Sequence, residues 1–368
     1  MTIVDYKVEV TKENGEVVEL RKLILGIKID RRLDMQTATA NITLSNTIEN
    51  LVAFHGEGAI VDNYNKVRVY IKNKIQFTGK IQNYEVNEDD KIVEMHCNDS
   101  YSNLLKPVDD GHPSITYENI RATEMAKNLC ARAGINNIEI DIDNSKDYVV
   151  KKLDIKYNTQ FTDVIDEAMA TLEARARAKK DGSIKIEKLY PPYYVGDVQN
   201  NRNYDWYYET FKRVSSASAK RTTETLYSRL LVRYDDSNYS VFEEPSMIKW
   251  ARGEKRFKEI DSPLSDTKEK RLIVANRFFL DRWRENTNLN IIATKGNPDL
   301  DLGHVVRLQL DDILGHYMVT GIRAELNSDG NYIDQIALEG MRGDYGIAVV
   351  ASGDYTLEEK SEENAEDE

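Results

Sequence analysis

The residues best able to do chemistry in this 368-residue chain sit together at His96, Cys97 and Asp99. A thiol beside an imidazole, with a carboxylate close by, is the composition of an activated nucleophile whose base is oriented by a third group. The spacing argues against that use. Val93, Met95 and Cys97 alternate with polar residues, and successive strand residues point to opposite faces, so His96 and Cys97 cannot form a dyad on one surface. His304 and His316 flank a hairpin and could approach across it, but no further cysteine or histidine lies near enough in sequence to complete a zinc site. Acidic pairs occur at Asp89-Asp90, Asp109-Asp110, Asp235-Asp236 and Asp311-Asp312. All four fall in turns, where Asp is favoured for local backbone hydrogen bonding. With 63 acidic residues in the chain, adjacent pairs follow from composition and carry no glycosidase signal. There is no phosphate-binding glycine loop, dinucleotide fingerprint or serine elbow. The expectation is a chain that is not an enzyme, with no catalytic residue, no cofactor and no metal ligand set.

Binding chemistry has one conspicuous location. Tyr190 to Phe211 holds Tyr190, Tyr193, Tyr194, Tyr204, Trp206, Tyr207 and Tyr208 among Asn, Asp, Pro and Gly. Tyr and Trp supply large contact area with little rotamer entropy to lose, so Tyr193, Tyr194, Trp206, Tyr207 and Tyr208 are candidate protein-interface residues. Two other readings stay open: a loop whose aromatics pack on their own domain, and a carbohydrate platform. Cys97 and Cys130, the only cysteines, read as small buried apolar residues, and their number excludes a disulfide framework and fits a reducing cytoplasm. The formal charge of -13 argues against duplex DNA or an anionic membrane as the main partner. No apolar run of membrane-spanning length occurs. Met1 to Val10 already alternates and lacks the layout of a signal peptide.

The elements that must position these residues are mostly strands. Val67 to Leu105 reads as a three-stranded meander. Val67, Val69 and Ile71 alternate; Asn73-Lys74 breaks the chain; Ile75, Phe77 and Ile81 then hold one parity, and Tyr84 and Val86 the other. That switch of parity predicts a bulge near Gly79 to Asn83. Asn87 to Asp90 turns into a third strand with Val93, Met95 and Cys97. The same order of strand, turn, long strand with Thr-Gly, acidic turn and strand returns at Val306 to Gly340, with Thr320-Gly321 in the place of Thr78-Gly79.

Between the two lies a change of period. Ala122, Met125, Ala126, Leu129, Cys130 and Ala133 fall at helical spacing, with Gly134 as a stop. Phe161, Ile165, Ala168 and Leu172 mark a second helix, with Arg175, Arg177, Lys179 and Lys180 late in it and Gly182 at its end. Strands are expected at Leu230 to Tyr234, Tyr239 to Phe242 and Ile248 to Trp250, then a helix opening at Ser265-Asp266. The fold class is therefore mainly β with α+β insertions: two similar small β-barrels separated by an α+β domain. The boundaries are 1-106 for the first barrel, 107-225 for the α+β domain with the tyrosine-rich segment, 226-345 for the second barrel with a helical insertion at about 243-288, and 346-368 for an acidic tail. Glu358 to Glu368 carries seven acidic residues and one lysine, the composition of a solvated, disordered segment.

The runs Val67-Arg68-Val69-Tyr70, Ile75-Gln76-Phe77-Thr78-Gly79-Lys80-Ile81 and His96-Cys97-Asn98-Asp99 with Leu104-Leu105 resemble the N-terminal barrel of phage tail baseplate hub proteins. So do Leu302-Gly303 to Val306 and Gly315-His316-Tyr317-Met318-Val319-Thr320-Gly321-Ile322. The resemblance is to hubs of contractile tails in Gram-positive phages, defective prophages and phage-tail-like bacteriocins, and more distantly to the Mu-type hub. It spans roughly residues 1 to 345. It implies two pseudo-equivalent barrels in a homotrimer that joins the tail tube to the central spike and contacts other baseplate proteins; from the charge, no nucleic acid is expected as a partner. It also implies a place in a virion baseplate or bacteriocin particle assembled in the bacterial cytoplasm. The alternative from a different class is a tail-borne cell-wall hydrolase, or a carbohydrate-binding module, with the tyrosine-rich stretch holding glycan.

Overall fold

The computed structural model describes residues 4–33, 37–52, 58–105, 114–156, 158–188, 204–209, 214–219, 224–285, 288–293, 295–310 and 313–340. The first unit is seven strands: β1 (Tyr6–Thr11), β2 (Val17–Glu19), β3 (Ile24–Arg32), β4 (Thr39–Ser45), β5 (Lys66–Ile71), β6 (Lys74–Asn87) and β7 (Ile92–Asp99). The alternation read from sequence is the observed burial: Val67, Val69, Ile71, Val93, Met95 and Cys97 are all buried in one core. The β5–β6 turn is made by Lys72 and Asn73, both at positive φ (52° and 60°), as a two-residue hairpin turn requires. The expected bulge is present, between Ile81 and Asn83 on β6.

The middle region contains β8 (Ser114–Arg121), α1 (Ala122–Arg132), β9 (Ile138–Asp141), β10 (Val149–Lys156), α2 (Phe161–Ala170), β11 (Ala174–Ala178) and β12 (Ile184–Lys188). Met125, Ala126, Leu129 and Cys130 of α1 pack with Phe161, Ile165, Ala168 and Met169 of α2 in a second core. One sequence expectation fails here. The helix ends at Ala170, and Arg175, Arg177 and the residues around them are strand, not helix. The Thr171 cap, Glu173 at φ 51° and the strict alternation Ala174-Arg175-Ala176-Arg177-Ala178 give β11 a period of two, which overrides the dipole-friendly placement of its charges.

The last region holds β13 (Trp206–Glu209), β14 (Val214–Ala219), β15 (Arg229–Arg233), β16 (Tyr239–Glu243), α3 (Pro245–Trp250), β17 (Phe257–Asp261), α4 (Lys268–Glu285), β18 (Asn288–Ala293), β19 (Val305–Gln309), β20 (Leu314–Asn327) and β21 (Tyr332–Gly340). Ile248 to Trp250 is therefore helical rather than extended, because Pro245 opens α3 and the Glu244 carboxylate caps it from outside. Among the described residues β15, β16 and β17 pair only with one another, and Leu230, Val232 and Phe242 form a small core with Ala275 and Phe279 of α4. Among the described residues no helix is long and apolar enough to cross a membrane.

The chain is mostly β, but the sheets among the described residues do not close into two separate barrels. A single path runs β14-β18-β21-β20-β3-β4-β7-β6-β5-β1-β2, with β19 branching from β20 and β13 pairing with β19. The strand that could have closed the first unit on itself, β3, instead pairs antiparallel with β20 from Gly321↔Arg32 to Asn327↔Gly26. Each unit keeps its own core, and the first core also takes in Ala324, Leu326 and Tyr332 from the second unit.

Candidate assembly surface and the charged seam behind it

Asp99 ends β7 and caps the 3-10 turn Ser100–Leu104 by accepting from Tyr101 N at 3.0 Å. Its carboxylate also accepts from Thr37 Oγ1 at 2.7 Å and Ala38 N at 2.8 Å. Burial pushes it up to about 6 despite those bonds. Cys97 is buried, and burial pushes its thiol up to about 12, the opposite of an activated nucleophile. His96 lies on the other face, with Nδ1 3.0 Å from Asn41 Oδ1. The three residues are thus brought into no common site.

His304 and His316 do not meet either. The His304 carbonyl faces Val319, accepting from its N–H at 2.8 Å. Nδ1 of His304 accepts from Asp301 N (3.1 Å) and Trp206 Nε1 (3.3 Å). His316 pairs with Arg307 in the β19–β20 ladder, and burial, with Arg307 beside it, lowers its pKa. Asp90 and Asp235 serve their own turns: Asp90 N donates to Asn87 Oδ1, and Asp235 Oδ1 accepts from the N–H groups of Ser237 and Asn238. Asp109-Asp110 and Asp311-Asp312 lie outside the described residues.

The aromatic segment divides. Tyr193 and Tyr194 lie outside the described residues. Trp206, Tyr207 and Tyr208 form β13, a parallel neighbour of β19. Tyr208 is buried in the second core, and Trp206 packs half-buried against it. The Tyr207 hydroxyl donates to Gln309 Oε1 at 2.7 Å, and its ring lies 6.2 Å from that of Tyr204. β13 thus presents alternate aromatics to core and rim.

A site that sequence reasoning missed lies where the two units meet the middle region. Arg31 on β3 is buried and donates to Asp301 Oδ1 at 2.6 Å. Arg177 on β11 lies 3.6 Å from the other Asp301 oxygen and reaches Glu187 on β12 at 2.8 Å. Arg175 donates to the same Glu187 oxygen at 3.0 Å. Lys180 donates to the carbonyls of Pro298 and Leu300, both at 2.8 Å. Burial would raise Asp301, but Arg31, Arg177 and Lys180 outweigh it and hold the carboxyl well below the usual carboxylate range. Burial, with Arg31 adding to it, pulls Lys180 down to about 8 against the nearby carboxylates. Gly303 sits at φ 81° with the Arg175 guanidinium where a Cβ would stand, which accounts for the Leu302-Gly303 motif as a close approach. The signal for this seam was the Ala-Arg alternation of β11.

Beside the seam lies a cavity of about 490 Å³ lined by Arg32, Arg277, Asn290, Thr320 and Leu338 among others. Across the joint itself, Arg323 of β20 donates to Asp30 of β3 at 3.1 Å. The seam's ion pairs and hydrogen bonds tie β3, β11 and β12 to the 298–301 segment.

No family model matches the sequence, and no curated protein matches it. Solved structures do. A 43 kDa tail protein of prophage MuSo2 from Shewanella oneidensis superposes with a TM-score of 0.68 at 11% identity, over 92% of this chain and 99% of that one. A tail protein from Neisseria meningitidis gives 0.68 at 15% identity, over 93% and 97%. A prophage tail protein from Listeria monocytogenes gives 0.57 at 11% identity, over 97% and 99%. The fold is that of phage tail proteins. At these identities the likeness is one of backbone architecture, and it extends along nearly the whole length of both chains, so the tail-protein fold includes the middle region as well as the two meanders.

Proposed function

We propose that this chain is a structural baseplate hub of a contractile phage tail or tail-like bacteriocin, joining a sixfold tail tube to a threefold central spike. The observation that carries the reading is internal: two similar meanders share one continuous sheet within a chain whose fold is that of tail proteins. A chain with two similar barrel-like units, assembled three times, presents six similar units in a ring. One face then meets a partner with near-sixfold symmetry, while the inserted elements β8 to β12 and β15 to α4 keep true threefold symmetry on the other. The sequence boundaries 1-106, 107-225, 226-345 and 346-368 correspond, in this reading, to first ring unit, spacer, second ring unit with its own insertion, and a solvated acidic tail. Trp206 and Tyr207, and Tyr193 and Tyr194 preceding them, serve as contact residues for a neighbouring baseplate protein.

Each contact in the ring buries more than about 1,000 Å², the threshold for a stable interface. Three chains of charge -13 repel one another at low salt, so isolated protein trimerises on raising ionic strength or on meeting spike or tube. Reconstruction of the assembled particle tests the proposal. Three copies between tube and spike are expected; six or twelve copies, or a ring containing only one of the two meanders, overturn it. Zymography on cell walls separates the hydrolase alternative, since a hub leaves no clearing, and a glycan array does the same for a carbohydrate-binding module.

A further inference from the structure

The joint between the two units is made once inside the chain, and its parts are present a second time without being used. The long strand β20 is flanked on one side by β21 along its length. On its other side, β19 covers Leu314 to Met318 and β3 covers Gly321 to Asn327. The long strand β6 is built alike. β7 flanks it from Gly79 to Asn87, and β5 covers Lys74 to Lys80 on the other side. Tyr64 and Asn65 engage the backbone of Ile81. Beyond it, Gln82 to Asn87 has no strand on that side among the described residues. The correspondence extends to the hairpin ends: Asn87 accepts from Asp90 N and Asn327 from Asn331 N, so both long strands close with an Asn-capped turn.

The partner of that joint also has a counterpart. In the first unit the order β3-β4-β7-β6-β5 ends on β3; in the second, β14-β18-β21-β20-β19 ends on β14. β14 therefore stands where β3 stands. It pairs only with β18, and its remaining edge is open among the described residues. Its sequence, Val214-Ser215-Ser216-Ala217-Ser218-Ala219, has no charge and no proline, the usual guards of an unpaired edge.

We infer that β14 of one chain pairs antiparallel with Gln82 to Asn87 of β6 in a second copy, repeating between chains the joint that β3 and β20 make within one. The inference rests on the ring proposed above and assigns its contact. The faces agree with the pairing. Val214, Ala217 and Ala219 stand opposite the buried Ala293, Ile291 and Leu289 and so share their side of the sheet, where Val214 is half-buried and Ala217 and Ala219 are exposed. On β6 the core side carries Tyr84 and Val86, which pack on the first core yet are only half-buried. The paired edges bring Val214, Ala217 and Ala219 beside Tyr84 and Val86, as Ile27 and Ile29 lie beside Ala324 and Leu326 in the existing joint. On the opposite face, Ser216 and Ser218 meet Asn83, Glu85 and Asn87, a polar surface on both sides. Six residues of β14 match the six of Gln82–Asn87 in length.

Head-to-tail cross-linking in the full chain tests this. Ser216→Cys is placed in one preparation, and Asn83→Cys, Glu85→Cys or Asn87→Cys in another; all four positions are on the outward face, and the native Cys97 and Cys130 are buried. The preparations are mixed at high salt, oxidised mildly and run without reductant, with mass measured by sedimentation. At least one mixture is expected to give a covalent dimer several-fold above either component alone. The mixed species is expected to sediment as a trimer before oxidation. Ala217→Pro, on an edge strand, is expected to abolish both cross-link and trimer while the fold is retained. A trimer that forms but never cross-links between these strands overturns the strand assignment and leaves the hub reading standing. A chain monomeric at high salt and concentration, and present in six or twelve copies in the particle, overturns the hub reading too. Self-cross-linking of Ser216→Cys alone would mean a symmetric β14–β14 contact and also overturns the assignment.

Discussion

β6 and β20 are both 14 residues long, both bulged, and both the central strand of a three-stranded meander. Their second halves nevertheless differ in burial. In β20, Ile322, Ala324 and Leu326 are buried; in β6, the corresponding stretch has Tyr84 and Val86 only half-covered and Asn83, Glu85 and Asn87 exposed. The cause lies in the neighbour and not in the strand. β3 lies along β20, carrying Ile27, Ile29 and Arg31 to the same side, whereas no strand lies along that half of β6 among the described residues. A hairpin thus does not determine its own burial; the edge it is given does.

The comparison breaks most completely at Arg31, the buried charge that β3 carries into the joint. Arg31→Ala leaves Asp301 facing Arg177 and Lys180 alone in a desolvated site, and is expected to cost about 3–5 kcal/mol, as for removal of one partner from a buried pair. Urea denaturation measures it. A loss below about 1 kcal/mol would show that β3 docks on β20 without the seam.

The two Thr-Gly pairs sharpen the comparison next. A Cβ on Gly79 would stand 2.2 Å from the Asn98 carbonyl oxygen, which is backbone and cannot turn away. A Cβ on Gly321 would meet Ala337 Cβ at 3.1 Å and Arg32 Cγ at 3.3 Å, contacts that small shifts relieve. Gly79→Ala is expected to destabilise by about 3 kcal/mol and Gly321→Ala by roughly 1 kcal/mol. Equal effects would remove the steric basis for treating the two pairs differently.

The pH dependence differs between the joint and the first unit, and the signs oppose. Asp99 is raised by burial from 3.8 to about 6, so the folded state holds its proton more tightly than the unfolded chain does. Its contribution is present below about pH 4 and lost as the pH rises through 6, roughly 2–3 kcal/mol in all. Burial raises Asp166 to about 6 against Arg277, and Glu167 to about 7, and both act in the same direction. Asp301 and Glu187 are depressed, so their contribution is present above the ordinary carboxylate range and lost as the pH falls below about 4. Asp99→Asn is expected to flatten the decline between pH 4 and 7, and Asp301→Asn the loss on the acid side. Melting curves from pH 3 to 8 check both; an unchanged profile in either variant assigns the slope elsewhere.

The smallest effect belongs to the tail. Removing Ser361 to Glu368 is expected to change stability by less than about 0.5 kcal/mol, because like charges with Ala365 as their only apolar side chain have little to bury. A large loss would show that the tail covers part of the body, the open edge of β6 being one place for it.

Much of this molecule was legible in its sequence because strands with one buried face write their period directly into it. Val67 to Cys97 and Val306 to Leu338 alternate, the parity switch between Ile81 and Tyr84 marks the bulge at Ile81/Asn83, and the apolar stripes of α1 and α2 mark their cores. The separation of His96 from Cys97 by the pleat was legible for the same reason. The period says which face of a strand is covered, but not which strand lies beside it. Hydrogen bonds between strands join backbone atoms that every residue carries, so the pairing of β3 with β20 across nearly three hundred residues leaves no local trace. The strand at Arg175 and Arg177 was legible too, in the Ala-Arg alternation, and was overlooked in favour of the dipole-friendly placement of the charges. Only the tertiary structure made one sheet of two expected barrels, set β15 to β17 apart as their own sheet, and brought Arg31, Arg177 and Asp301 together. Each of those outcomes was decided by long-range contacts, which sequence neighbours alone cannot report.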